Sequence, residues 1–364
     1  MTQRPILIMA GGTGGHVFPG LAVAHGLMAH DQPVAWLGTR RGLESRLVPQ
    51  AGITLHLISV GGLRGKGALI RLLAPLRLGW ALIQSLALML RLRPRAVLGM
   101  GGFVSGPGGL AAWLTRRPLL IHEQNAIAGL TNRLLSRFAG RLMEAFPGSL
   151  ANAGEAFAVG NPVRPEITAI EAPETRLKGR QGPIRLLVFG GSQGARKINQ
   201  QVPAALSLLA PDLRPDILHQ TGEADLGSVN AAYQQAGIGA RVTPFIDDMA
   251  AAYAWADLVI CRSGALTVSE LAAAGLGAIL IPFAAAVDDH QTRNAEYLTA
   301  EQAAVLLPEA DLSPALLADQ LRPLLADRHK LLELACRARA RSQPRSLELI
   351  VGACLQAAGV EAAA

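Results

Sequence analysis

Aromatic residues are scarce in this 364-residue chain, 4% of the total, and charged residues make up 17%, against about 25% in ordinary globular proteins. Half of the residues are hydrophobic. That balance excludes disorder, collagen and coiled coil. Cysteine is nearly missing. Cys261, Cys336 and Cys354 are scattered, with no CxxC spacing and no nearby histidine pair, which excludes a disulfide framework and a structural zinc site. Long apolar runs are missing too. The run from Ile6 to Ala10 ends in glycines and is too short for the core of a signal peptide, so a reducing cytoplasm is expected.

Acid is absent from one long stretch. Between Ser45 and His122 there is no Asp or Glu, while Arg46, Arg64, Lys66, Arg71, Arg77, Arg91, Arg93, Arg95, Arg116 and Arg117 supply ten positive charges. With the chain at +7, the remainder is net acidic by three (+7 minus +10 is −3). One region of the first half therefore faces something anionic: nucleic acid, a phosphorylated substrate or a membrane surface. Within it, Leu78 to Leu90 is an apolar segment between Arg77 and Arg91, well short of the ~20 residues a spanning helix needs. Arg77, Gln84 and Arg91 recur every seven residues, so a helix there carries one polar stripe. A buried core helix is the competing reading. With the basic flank and the apolar residues Leu69, Ile70, Leu72, Leu73 and Leu76, the segment reads as a peripheral membrane face.

What is present is strand, glycine loop and helix, twice over. Ile6–Ala10, Val34–Gly38, Ala96–Met100 and Leu119–His122 read as buried parallel strands, and a helix is expected from about Pro19 to Ala29. A second start at Ile184–Phe189 is followed by candidate strands at 217–219, 242–245, 258–261 and 278–282. Gly160-Asn161-Pro162-Val163-Arg164-Pro165 and a polar stretch to Gly182 mark a linker. The length suits about two domains. The expectation is α/β, two doubly wound Rossmann-like domains facing a cleft: residues 1–163, residues 164–340, and a helical tail, 341–364, packing back on the first.

The loops carry the chemistry. Gly11-Gly12-Thr13-Gly14-Gly15-His16 joins strand to helix, where it is either a tight turn or an anion cradle of free amides. It is not a P-loop, and it lacks the last glycine of a dinucleotide fingerprint. His16 is placed as a general base, histidine's ordinary pKa of about 6.5 suiting that work; a packing role is its alternative. Gly99 to Gly109 repeats the pattern in the same domain. In the second half, Gly190-Gly191-Ser192-Gln193-Gly194 and Arg262-Ser263-Gly264-Ala265-Leu266-Thr267-Val268-Ser269-Glu270 do the same. The amides at 264–266 form a diphosphate cradle, and Glu270 can accept both hydroxyls of a ribose or merely favour the helix dipole.

These motifs, with His122-Glu123-Gln124-Asn125, resemble those of the MurG family of bacterial cell-wall glycosyltransferases, over Ile6 to about Tyr297. The resemblance implies the GT-B fold and inverting transfer of GlcNAc from UDP-GlcNAc to the 4-hydroxyl of the muramoyl sugar of lipid I, giving lipid II. It further implies that Thr13, Gly14 and Gly15 line the donor and acceptor side and that Asn125 reaches the GlcNAc. Arg164 and Ser192 would contact the diphosphate, Ile246 the uracil, Arg262 and Gly264 with Ala265, Leu266, Thr267, Val268, Ser269 and Glu270 the phosphates and ribose, and Gln291 the sugar. Many members have tyrosine at Phe103. No cofactor and no metal is expected, because no DxD-type pair adjoins the phosphate loops; Asp288-Asp289 precedes the sugar position instead. The expected partners are UDP-GlcNAc, lipid I, the anionic inner-membrane surface at its cytoplasmic face and other wall-synthesis proteins, with no nucleic acid. His16 and Glu123 remain alternative bases. A UDP-GlcNAc epimerase and a non-catalytic nucleotide-sugar sensor are the rival functions; the first needs no apolar basic face, and the second could dispense with His16.

Overall fold

The structure, a computed structural model, describes residues 4–61, 74–151, 153–190, 195–283 and 289–360. It divides into two units. The first holds Met1–Pro162 with Arg345–Ala364, the second Val163–Pro344.

In the first unit seven parallel strands lie in the order β3-β2-β1-β4-β5-β6-β7. They are β1 (Ile6–Met9), β2 (Val34–Gly38), β3 (Thr54–Leu57), β4 (Val97–Gly99), β5 (Leu119–Glu123), β6 (Arg141–Glu144) and β7 (Ala156–Ala158). In the second unit the order is β10-β9-β8-β11-β12-β13, with β8 (Arg185–Phe189), β9 (Asp216–Gln220), β10 (Arg241–Thr243), β11 (Leu258–Cys261), β12 (Gly277–Leu280) and β13 (Ala304–Leu306). The central strands β1, β11 and β12 are buried along their whole length, as helices on both faces require. Strands β3, β6, β7 and β13 were not foreseen: β3 mixes polar with apolar residues, and β7, though apolar, is only three residues long and half-exposed. The helix expected from Pro19 begins at Gly14, which puts Gly14, Gly15 and His16 in its first turn rather than in a loop. Gly20 lets that helix touch the sheet, since a Cβ there would lie 2.6 Å from the Trp36 ring.

Two expectations about the chain path change. The polar stretch after Pro162 is not a free linker. Arg176 is buried, donates to the carbonyls of Tyr253 (3.2 Å) and Gly275 (2.6 Å), and burial lowers its pKa to about 10. Arg180 pairs with the buried carboxylate of Asp257. The tail boundary falls after Pro344 instead of 340. Arg341 stays with the second unit, its carbonyl accepting from the Tyr297 hydroxyl at 2.8 Å and its guanidinium lying over that ring.

The last helix, Ser346–Ala357, completes the first unit's core. Ile350, Val351, Ala353, Cys354 and Leu355 are buried with Ile8, Val23, Leu27 and Trp36. Arg95 closes its C-terminal end, donating to the carbonyls of Ala358 (2.9 Å) and Gly359 (3.2 Å), where a cation also meets the negative end of the helix dipole. Ile350→Ala is expected to destabilise the first unit by about 2–5 kcal/mol, the usual cost of such a cavity. Thermal unfolding with a reporter in each unit checks this: the first unit's transition should drop while the second unit's stays.

Candidate active site

In the first unit the chain leaves β1, β4 and β5 at neighbouring carboxyl ends, where open α/β sheets bind ligands. The β1 loop ends at Thr13, an extended N-cap residue (φ −103°, ψ 161°) whose side chain does not cap the helix. Thr13 is exposed and Gly15 likewise. Val17 donates to the Thr13 carbonyl at 3.2 Å, so the helix begins there and its earliest amides have no partner within it. The β4 loop packs directly on the β1 loop: a Cβ on Gly102 would sit 2.4 Å from the Gly11 carbonyl oxygen. Gly101, at φ +96°, lies against the His16 imidazole, with a Cβ there meeting Cε1 at 2.8 Å. Only glycine satisfies both the φ and the space.

His16 Nδ1 lies 2.7 Å from Gln124 Oε1. Gln124 is buried, and its Nε2 lies 2.8 Å from His122 Nδ1 and 2.9 Å from the His122 carbonyl. His122 Nε2 in turn lies 2.9 Å from the Gly160 carbonyl. Burial lowers the His122 pKa below 6.5, so the ring is neutral.

The neighbouring carboxylate has a different office. Glu123 is 1% exposed and accepts from the Asn125 amide (2.9 Å), the Gly129 amide (3.1 Å), Asn132 Nδ2 (2.9 Å) and Asn125 Nδ2 (3.3 Å). It folds the 125–129 loop and orients Asn125.

Glu44 was missed by the sequence reading. Fully buried, its carboxylate accepts from the Gly12 amide at 3.0 Å and from the Thr39 amide and hydroxyl at 2.9 and 2.8 Å. Gly11, Gly38 and Gly42 make its room, since a Cβ on any of them would overlap its side chain. The signal available was its position, the last acid before the acid-free stretch and just after Gly38 and Gly42.

In the second unit the helix Ala265–Ala274 follows β11 with Gly264 as N-cap (φ −61°, ψ 147°) and no side-chain cap. Val268 donates to the Gly264 carbonyl at 3.0 Å. The amides of Ala265, Leu266 and Thr267 therefore form the positive end of the helix, suited to an anion. Glu270 is one turn further. Its Oε1 accepts from Arg164 Nη2 at 3.2 Å and its Oε2 from the Tyr253 hydroxyl at 3.1 Å. Burial raises its pKa against the opposing pull of Arg164. Arg164 is half-exposed, so its guanidinium can serve a ligand as well. Ile246 follows the exposed Phe245 in a loop pinned by Gly222 donating to the Pro244 carbonyl at 3.1 Å. Gln291, near the start of the helix His290–Thr299, accepts from the Phe283 amide at 2.9 Å.

Three expected contacts fare differently. Arg262 points inward: its guanidinium donates to the carbonyls of Ile281 and Pro282, both at 3.2 Å, and pairs with Glu309. It fixes the β12 exit rather than presenting itself to a ligand. The Val268 side chain is fully buried in the core, and the Ser269 hydroxyl donates back to the Ala265 carbonyl at 3.0 Å. Ser192 lies outside the described residues.

Two doubly wound parallel sheets, each sending uncapped helix N-termini to its carboxyl edge, one with a carboxylate a turn inside, define a GT-B glycosyltransferase. The chain belongs to glycosyltransferase family 28: the N-terminal domain of that family matches residues 6–143 and the C-terminal domain residues 185–349. It is 54% identical over 356 residues, 98% of each chain, to the UDP-N-acetylglucosamine--N-acetylmuramyl-(pentapeptide) pyrophosphoryl-undecaprenol N-acetylglucosamine transferase of Marinobacter nauticus. To the protein of the same name from Nitrosococcus oceani it is 55% identical, over 97% of this chain and 98% of that one. The crystal structure of Acinetobacter baumannii MurG superposes with a TM-score of 0.86 at 40% identity, covering 97% of this chain and all of that one.

The raised Glu270 pKa makes a binding prediction. If Glu270 accepts the two ribose hydroxyls, as the sequence leads one to expect, the ionised carboxylate is the form that does so, and protonation sets in above the ordinary value of 4.5. UDP-GlcNAc affinity should therefore fall as pH drops through a window starting above 4.5, and Glu270→Gln should bind weakly but without that pH dependence. Calorimetric titration across pH 4.5–7.5 checks it.

Proposed function

We propose that the two sets of helix N-termini divide one reaction between them. The protein is a glycosyltransferase that moves GlcNAc from UDP-GlcNAc to the 4-hydroxyl of MurNAc-pentapeptide in lipid I, with inversion, forming lipid II. The second unit holds the donor nucleotide: Ile246 the uracil edge, Glu270 the ribose, and the 265–267 amides, Arg164 and Ser192 the diphosphate. Gln291 and Asn125 take the sugar. The first unit presents the acceptor over Thr13, Gly14 and Gly15. As the 4-oxygen bonds to the anomeric carbon, the bond from that carbon to the diphosphate oxygen breaks and UDP departs with the electron pair. Fixed amides aimed at that developing charge supply much of such catalysis.

His16 takes the hydroxyl proton. The observation that carries this choice over Glu123 is the disposition of the two side chains. Glu123 has its carboxylate spent on four N–H donors of the loop that follows it and the next helix, whereas His16 stands in the first helical turn with one ring nitrogen held by Gln124. Transfer names carried by relatives along nearly their whole length favour the transferase over the epimerase and sensor readings. In an assay of labelled UDP-GlcNAc with and without a lipid I analogue, label should move only when the acceptor is present. His16→Ala should lower turnover by roughly 10²–10⁴-fold with UDP-GlcNAc binding kept. Turnover within tenfold of the parent would remove His16 as the base.

The first unit also meets the membrane from the cytoplasmic side. No described helix is long and apolar enough to cross a bilayer. The helix Ala74–Leu92 buries Ala81, Ser85 and Met89 and exposes Leu76, Trp80, Ile83 and Leu90 with Arg77 and Arg91. It is therefore amphipathic, not a wholly buried core helix. Two details of the expected face change: Gln84 accepts from the Ser59 amide at 2.8 Å, and Arg95 is committed to the last helix. Arg64, Lys66, Leu69, Ile70, Arg71, Leu72 and Leu73 lie outside the described residues. Trp113 and Phe138, with ring centroids 4.8 Å apart, are also exposed in this unit. An apolar face flanked by basic residues suits an anionic leaflet. Liposome flotation tests it: recovery should rise with anionic lipid and fall with salt, and Leu76→Glu with Trp80→Glu should abolish it while UDP binding persists. Equal recovery on neutral and anionic vesicles would place the membrane face elsewhere.

A further inference from the structure

We propose that Gln124 is a positioning residue that selects the tautomer of His16, leaving Nε2 as the ring nitrogen that receives the acceptor proton. The inference rests on the reading of His16 as base and explains how that base is kept in its competent form.

Groups whose hydrogen-bonding sense is fixed set each orientation in this network. The Gly160 carbonyl can only accept, so His122 Nε2, 2.9 Å away, carries a hydrogen. A neutral imidazole has one donor and one acceptor nitrogen, which makes His122 Nδ1 an acceptor. The group 2.8 Å from that nitrogen must then be the amide NH2 of Gln124, and the His122 carbonyl, 2.9 Å from the same nitrogen, requires the same orientation. Two acceptors thus pin the amide, and no flip satisfies either. Gln124 Oε1 is therefore turned toward His16, whose Nδ1 stands 2.7 Å off and must donate. The Nε2 lone pair is what remains for the substrate.

Burial supports each link. Gln124 is 1% exposed and His122 fully buried, so neither can exchange its partner for water without leaving a polar group unpaired. Burial also keeps His122 neutral, as the chain requires. Gly101 lies against the His16 ring and limits its rotation. When the hydroxyl proton arrives at Nε2, positive charge spreads over the ring and the Nδ1–H bond to the Gln124 carbonyl strengthens. An amide cannot take the proton onward, so it stays on His16 until released to solvent. Holding one nitrogen of a catalytic imidazole to define the work of the other is a recurrent device; here the holder is neutral, and is itself held by a second histidine.

The test needs no substrate. In the full-length protein labelled with ¹⁵N-histidine, the His16 signals, identified by their loss in His16→Ala, should show a protonated Nδ1 and a pyridine-like Nε2 at pH 8. In Gln124→Met, which keeps the bulk and loses the acceptor, the pattern should shift toward protonated Nε2. With lipid I analogue, kcat should drop about tenfold, the scale of one lost hydrogen bond, with KM for UDP-GlcNAc unchanged. A parent protein with its hydrogen on Nε2 overturns the proposal outright, whatever Gln124→Met does to folding. So does a Gln124→Met variant with parental tautomer and parental kcat. If instead the parent shows the expected tautomer but His16→Ala retains its turnover, the tautomer assignment holds and the reading of His16 as base fails.

Discussion

A parallel strand that runs straight into a helix leaves the helix's first amides without backbone partners, and the working parts of this chain are built on that deficit. At Thr13 and at Gly264 the residue before the helix is extended and offers no side chain to the amides. By contrast, Asp248, Ser313 and Asp327 cap their helices with side-chain oxygens. Parallel pairing sends such ends to one edge of each sheet, so unpaired donors accumulate where the strands finish. In the proposed reaction, an anionic leaving group in the second unit and a hydroxyl about to lose its proton in the first are the chemical complements of that edge.

Unpaired donors are useful only if the loops bearing them hold still, and buried polar side chains supply that rigidity. Glu44 clamps Gly12 to Thr39, Glu123 folds the loop that bears Asn125, and Gln124 joins His16 to His122. Each is buried with its hydrogen-bonding capacity used, the condition under which a polar group stabilises rather than weakens an interior. In the second unit Arg262 and Glu309 do the same for the segment after β12. Tyr253 meanwhile steadies Glu270 from a wholly buried position.

How far the sequence disclosed this depends on the range of the interactions. Strands such as Ile6–Met9 and Leu258–Cys261 are apolar throughout and lead into glycine-bearing turns, so both the sheets and the loops can be read directly. Thr54–Leu57 mixes polar with apolar residues and Ala156–Ala158 is a bare three residues, both half-exposed, and a local pattern does not reveal them. Arg262 belongs to a motif that reads as ligand-binding, yet its guanidinium turns to carbonyls about twenty residues further along, a choice no local spacing encodes. The packing of Ser346–Ala357 against Val23 and Leu27 spans nearly the whole chain. It was expected only as the return of a helical tail. Glu44 and Gln124 act through tertiary contacts, so their residue types alone gave no hint of a role.

In the proposed reaction donor nucleotide and acceptor chemistry belong to different units, and amide hydrogen exchange with UDP alone tests this division most directly. UDP should slow exchange at the amides of 265–267 and around Ile246, with little change at 12–16 and 124–129. Protection concentrated in the β1 and β5 loops, with the Gly264 helix unaffected, would contradict it.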